Sequence, residues 1–212
     1  MYAPGPFRVE DQREVAGIIA RYPFATLVAS GPDGPVAART PMLADLDEQG
    51  RVRGLLGHIA RANPFWRVAD GAEVLALFSG AHAYVSPGAY RTKAETGRAV
   101  PTWNYTAAEV RGRLAVTTDR DALYEIVDRL SAAMEAGQVQ PWDIRDAPAD
   151  YIDRLLNGIV GLSMENASAE AVRKLSQNKS KDDVEGVMAA LSASRDANAR
   201  QTAADMAQLP RG

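Results

Sequence analysis

The chain contains no cysteine, which removes disulfides, thiolate metal sites and cysteine nucleophiles together. Histidine is nearly as scarce. Only His58 and His82 occur, so a multi-histidine metal site is excluded and no metal is expected. A Ser-His-Asp triad stays open arithmetically, with no pattern to support it. Long apolar runs are missing as well: Val74–Phe78 is the length of one buried strand, far short of the ~20 residues that span a bilayer. The opening MYAPGPFRVED has neither a basic nor an apolar leader segment, which makes the cytoplasm the expected location. An excess of positive charge is also lacking, since the 212 residues sum to −3, whereas nucleic-acid binders draw most of their affinity from neutralising phosphates. Arginines cluster at Arg51, Arg53 and Arg61, and at Arg111 and Arg113. They alternate with apolar residues as on sheet faces, so direct DNA binding is doubtful. GxGxxG, Walker, GxSxG and HExxH signatures are absent.

What is present is patterning. Apolar residues make up 46% and charged residues 24%, enough of the first for a core and of the second for an ordinary globular surface. Val15, Ile18, Ile19 and Tyr22 follow i, i+3, i+4, i+7 spacing behind Glu10 and Asp11, a helix that Pro23 ends. Strands are expected over 24–29, 36–43 and 52–58, separated by Gly31-Pro32-Asp33-Gly34 and by the turn-prone segment 45–50. Pro64 is expected to open a short helix carrying Phe65 and Trp66. Further strands fall at 73–79, at 83–86 across Gly80, and at 103–116. The segment 87–100 reads as a long polar loop. Leu123, Ile126, Val127, Leu130 and Met134 then line a helical face, as do Tyr151, Ile152, Leu155 and Leu156, and later Val184, Val187, Met188 and Leu191. A strand over 158–164 separates the second of these helices from the third. Antiparallel meander signals favour a barrel over a parallel sheet. Residues 1–192 are expected to form one domain with C-terminal helices, and 193–212, rich in Ala, Gln, Arg and Asp, a flexible tail.

Three stretches carry chemistry. Gly57–Pro64 sets His58, Arg61 and Asn63 at a strand end running into a helix start. A forked guanidinium beside helix N–H groups makes a phosphate cradle; a strand-to-helix turn with a capping Asn63 and a surface Arg61 explains the same residues. The stretch 82–87, with Tyr84 and Ser86 and followed by Tyr90 and Lys93, either meets a planar ring at a barrel mouth or packs at a subunit boundary, and packing is the default. Pro101–Tyr105 concentrates Trp103, Asn104 and Tyr105. Lys174–Asn178 is a smaller polar cluster, explained nearly as well by a helix-entry loop capped by Ser180.

MYAPGPF, GHIARANPFW, AHAYVSPGAY, VPTWNY and KLSQNKSKDD resemble, in order and spacing, the PaiB-like family of FMN-binding negative transcriptional regulators, over roughly residues 1–192. The resemblance implies an α+β, mainly β fold: an antiparallel split β-barrel of the pyridoxamine-phosphate-oxidase-like, FMN-binding type with flanking helices. It implies a homodimer with FMN at the subunit boundary. On it, His58, Arg61 and Asn63 fall on the phosphate side. Tyr84, Ser86, Trp103 and Asn104 face the flavin ring and ribityl chain, and Lys174, Ser176 and Gln177 reach the cofactor from a partner or the C-terminal segment. Two positions depart: Arg39 and Glu109 stand where relatives usually carry histidine. Their opposite charges lead to the expectation of a salt bridge between neighbouring strands, with altered or lost flavin binding if it lies in the pocket. The implied function is regulation or flavin redox chemistry. Alternatives are a flavin-dependent oxidoreductase, and a haem protein related to the piperazate synthases with His58 or His82 as axial ligand. A dimer that has lost its cofactor is the remaining option.

Overall fold

A computed structural model describes residues 1–209. In chain order it forms helix α1 (Gln12–Arg21), strands β1 (Phe24–Gly31), β2 (Gly34–Leu46) and β3 (Val52–Ala60), and helix α2 (Phe65–Ala69). Strand β4 (Glu73–Val85), helix α3 (Arg91–Thr96) and strand β5 (Thr102–Thr117) follow. Helices α4 (Arg120–Glu135) and α5 (Ala149–Leu156), strand β6 (Ile159–Lys174), and helices α6 (Lys181–Ser192) and α7 (Ala197–Ala207) complete it. The strands close into a barrel in the order β1-β2-β3-β6-β5-β4, with antiparallel pairing of β1 to β2 and β4, and of β3 to β2 and β6. The split-barrel fold with flanking helices is the expected one.

Two compact units share these elements. The first comprises Asp11–Phe78 and Glu109–Glu170. Its strands alternate: Ala25, Leu27 and Ala29 of β1, Met42 of β2, Leu55 and Ile59 of β3, and Val160, Leu162 and Met164 of β6 are all buried, as a period of two requires of one sheet face. Gly57 stands opposite Met42, and a Cβ there would run into the Met42 sulfur and come within 2.9 Å of the Pro41 carbonyl. Outside this core, Leu123, Ile144, Ile152 and Leu156 form a second buried cluster. Asp45 of β2 ties α4 through Arg129 (3.0 Å) and β3 through Arg53 (2.7 Å). Asp11 and Asp119 cap α1 and α4 by accepting from the N–H groups of Arg13 and Ala122.

The second unit comprises Met1–Glu10, Ser79–Ala108 and the described residues from Ala171 onward. Its core gathers Ala83, Val85, Tyr90, Leu175, Val187, Leu191, Ala199, Ala203 and Met206. Several expectations are corrected here. The flexible tail is instead α7, capped by Asp196. Ala199, Ala203 and Met206 recur at i, i+4, i+7 and bury one stripe, a signal that alanine's small size hides in the composition; Pro210, Arg211 and Gly212 lie outside the described residues. The expected loop over 87–100 contains a 3-10 turn (Pro87–Ala89) and α3. It is ordered because Asp183 accepts from the Thr92 N–H (2.9 Å) and hydroxyl (2.7 Å). Strand β6 runs ten residues beyond the expected Met164; its second half is polar and held by backbone pairing, as between Val172 and Arg8.

The expected Arg39–Glu109 salt bridge is also corrected. β2 and β5 are not neighbours in the strand order. The Arg39 guanidinium lies over the Phe24 ring at 5.2 Å, and Glu109 pairs with Arg111 at 2.8 Å.

Two mid-helix glycines yield opposite outcomes. A Cβ on Gly17 of α1 meets nothing within 4 Å, whereas one on Gly186 of α6 collides with the Ala89 carbonyl. In urea unfolding, Gly17→Ala is expected to stabilise by about 0.4–1 kcal/mol. Gly186→Ala is expected to destabilise by about 1–3 kcal/mol, the usual cost of overpacking.

Candidate functional site

In the first unit, His58 of β3 stands opposite Gly161 of β6, and directly opposed residues of an antiparallel ladder share a face. A Cβ on Gly161 would press on Leu123 and Ile126 of α4. The imidazole therefore lies on the helix-covered face. Its Nδ1 is buried without a hydrogen-bond partner, and burial lowers its pKa, keeping the ring neutral at pH 7. Arg61 and Asn63 come together at the β3–α2 turn. Arg61 Nε donates to the Asn157 carbonyl (2.8 Å), Asn63 Oδ1 accepts from the Phe65 N–H (3.0 Å), and Trp66 Nε1 donates to the Arg61 carbonyl (3.0 Å). One helix N–H group that a phosphate would need is thus taken by Asn63, with Pro64 as the capping residue rather than the first helical one.

In the second unit, Trp103 and Tyr84 are 53% and 51% exposed and lie side by side rather than scattered singly. They meet edge to face with centroids 6.1 Å apart, and His82 lies 6.0 Å from Trp103. This makes an open aromatic wall. His82 Nδ1 is 3.2 Å from the Gly80 carbonyl. Ser86 turns away from this chemistry, accepting from the Gly88 N–H to cap the 3-10 turn.

Behind the wall, Lys174 Nζ donates to Thr102 Oγ1 (2.7 Å) and to the Trp103 carbonyl (2.5 Å). Burial, and then the charge of Lys179, lower its pKa. Asn104 is fully buried, and its amide is joined at both ends to Ser176 Oγ (2.9 and 3.1 Å). Ser176 adopts a left-handed backbone (φ 67°), an uncommon conformation for a residue with a side chain. Gln177 folds back, donating to the Arg173 carbonyl and accepting from the Leu175 N–H, so it shapes the turn. Tyr90 is buried with its hydroxyl unpartnered, and Lys179 Nζ sits 5.4 Å above its ring.

Two cavities adjoin Lys174. An apolar groove of about 540 Å³ runs along Trp103, Tyr105, Phe7 and Tyr2. A smaller hollow of about 170 Å³ is lined by Tyr90, Thr102, Asn104, Lys174, Ser176 and Lys179, among others. Both include Phe7, Thr102 and Lys174. Tyr84, Trp103, Asn104, Lys174 and Ser176 therefore belong to one neighbourhood, whereas His58, Arg61 and Asn63 belong to the other unit. Sequence reasoning passed over Thr102 and Lys179. The one available signal was a second lysine five residues after Lys174, across a turn whose sharpness depends on Ser176.

A closed antiparallel barrel with helices on its flanks is the architecture of the split-barrel proteins. Among solved structures, the chain is similar to "Structure of the Flavocytochrome Anf3 from Azotobacter vinelandii" (TM-score 0.55, 13% identity, 78% of this chain and 68% of that one). It is also similar to an FAD and heme binding protein from Mycobacterium smegmatis (TM-score 0.51, 16% identity, 79% and 73%). Among curated proteins, it is 30% identical over 206 residues to "Protease synthase and sporulation protein PAI 2" of Bacillus subtilis, covering 96% of this chain and 95% of that one. It is 34% identical over 167 residues to an uncharacterized protein of Aspergillus fumigatus, covering 63% and 64%. The family described as "Putative FMN-binding domain" matches residues 1–168. The chain belongs to this PaiB-like family.

The buried imidazole generates a pH prediction. Because the folded-state pKa of His58 is lowered, the unfolded chain takes up a proton first, so stability is lost as pH falls through about 6.5. Thermal unfolding between pH 8 and 5 is expected to show this loss in the wild type and a shallower one in His58→Gln.

Proposed function

We propose that this protein is a cytoplasmic, homodimeric flavoprotein that holds FMN with its ring system against the Trp103–Tyr84–His82 wall. The observation that carries the reading is the wall itself. Two large rings stay about half exposed beside an apolar groove of about 540 Å³, the lining a planar aromatic ligand selects. A second copy covering the same face would exclude water from the ring. The residues present fit the group: aromatic faces for the isoalloxazine, the Asn104–Ser176 pair to fix the strand end behind it, and lysine donors for an anionic end. Tyr84 borders the ring, Ser86 caps the turn that follows its strand, Lys174 fixes the backbone at Trp103, and Gln177 sets the turn that brings Ser176 to Asn104. His58, Arg61 and Asn63 are the weaker candidates for the phosphate, because Asn63 already holds the Phe65 N–H and His58 lies beneath α4.

When bound, the flavin supplies one- or two-electron transfer. The chain's own residues orient it and shield it. This suits a redox-sensing regulator, as the family's label would have it, and equally an oxidoreductase acting on a small molecule. Direct DNA contact is not part of the reading, given the net charge of −3. A second reading, haem, has its own support. His82 Nδ1 faces the Gly80 carbonyl, which leaves Nε2 as the ligating nitrogen, an arrangement common among metal-bound imidazoles.

The absorbance spectrum of the purified protein tests these readings. Flavin bands are expected, with a mass in solution of two chains; a Soret band would transfer the assignment to haem. Trp103→Ala is expected to weaken FMN about tenfold, the equivalent of about 1.4 kcal/mol, in a flavin-fluorescence titration. A monomer that binds no FMN at saturating concentration would end the proposal.

A further inference from the structure

We infer that the hollow beneath Tyr90, between Lys174 and Lys179, is a binding site for a phosphate group. It rests on the flavin reading only for which molecule carries that phosphate. The argument begins with charge. Two ammonium groups approach one hollow of about 170 Å³, and no carboxylate is among the residues lining it. Lys174 has two of its protons placed, on Thr102 Oγ1 and the Trp103 carbonyl, which fixes Nζ in position and leaves its third donor. Lys179 contributes a second ammonium, held over the Tyr90 ring. The nearby acid Asp183, whose charge is felt at Tyr90, is turned to the Thr92 N–H and hydroxyl and is not among the residues lining the hollow.

A second observation is independent of charge. The Tyr90 hydroxyl is buried and finds no hydrogen-bond partner, although Tyr90 is only 5% exposed and lines the hollow. Its neighbour Ser176 comes close to it but not within hydrogen-bonding geometry, and Ser176 Oγ is engaged by the Asn104 amide instead. Buried polar groups left without partners are rare and call for an explanation; an oxyanion accepting from the phenol supplies one. Thr102 completes the set. Its Oγ1 accepts from Lys174, so its own proton is free to point at an acceptor. Two ammonium-bearing residues, a phenol and a hydroxyl line one space that no carboxylate lines, a donor set that matches a tetrahedral oxyanion.

Calorimetry on the full chain tests this with three probes: FMN, riboflavin and inorganic phosphate. The variants are Lys179→Ala, whose side chain is exposed, and Tyr90→Phe, which deletes only the unpartnered oxygen. Thermal unfolding is expected to show both folded, with Tyr90→Phe at least as stable as the wild type. Each substitution is expected to cost about tenfold or more in phosphate-dependent binding, the loss typical of a charge-assisted hydrogen bond. If FMN weakens while riboflavin does not, the phosphate is the cofactor's own. If FMN is unchanged but inorganic phosphate binds the flavin-loaded protein and weakens in the variants, the site serves a phosphorylated substrate. If neither flavin binds but inorganic phosphate does, and weakens in the variants, the hollow stands and the flavin reading falls. If neither the preference for FMN over riboflavin nor the affinity for inorganic phosphate responds to either substitution, the inference is overturned.

Discussion

One ammonium group holds the candidate site together. Lys174 closes β6, and its Nζ reaches the hydroxyl of Thr102 and the carbonyl of Trp103 where β5 begins. A partly buried lysine is costly unless its donors are met, and here two of them are met by the Thr102 hydroxyl and by the carbonyl of the residue that carries the exposed indole. The strand end is therefore fixed while the Trp103 ring stays open. The buried Asn104–Ser176 pair, immediately behind, locks the same two chain segments a second time. A ring held on a rigid strand is a better surface for a planar ligand than one on a loop, because less conformational freedom is lost on binding. That rigidity comes with a Ser176 backbone in the left-handed region, a conformation retained only where surrounding contacts over-determine it.

Strands and the longer helices were legible in the sequence because their apolar residues are large and regularly spaced. Leu27, Leu55 and Leu162 announce a period of two; Leu123, Ile126 and Leu130 announce a helix. Helix α7 was not legible, since Ala199 and Ala203 look like composition rather than pattern until Met206 is seen to join their stripe. The second half of β6 was hidden for the opposite reason: its Glu165–Glu170 segment carries polar residues whose order comes from backbone pairing. Asp183 shows the same limit for loops, because its bonds to Thr92 join residues ninety-one positions apart and no local rule foresees them.

The site was legible in part. Trp103, Asn104, Lys174 and Ser176 stand out by residue type and prove to be neighbours. The Gly57–Pro64 stretch stands out equally, yet Asn63 is already occupied in accepting the Phe65 N–H at the helix entry. Sequence chemistry gives both roles to an asparagine at that position, and only geometry separates them. The Arg39 and Glu109 departures were misread for a topological reason: opposite charges invite pairing on paper, while the strand order keeps β2 and β5 from being neighbours.

The account reduces to contact between a planar cofactor and one indole. The chain has three tryptophans, so replacing Trp66 and Trp142 with phenylalanine leaves Trp103 as the sole reporter. Titrating that variant with FMN should quench the indole emission nearly completely at one flavin per chain. Flavin that binds at that stoichiometry while Trp103 emission stays unchanged would contradict the account.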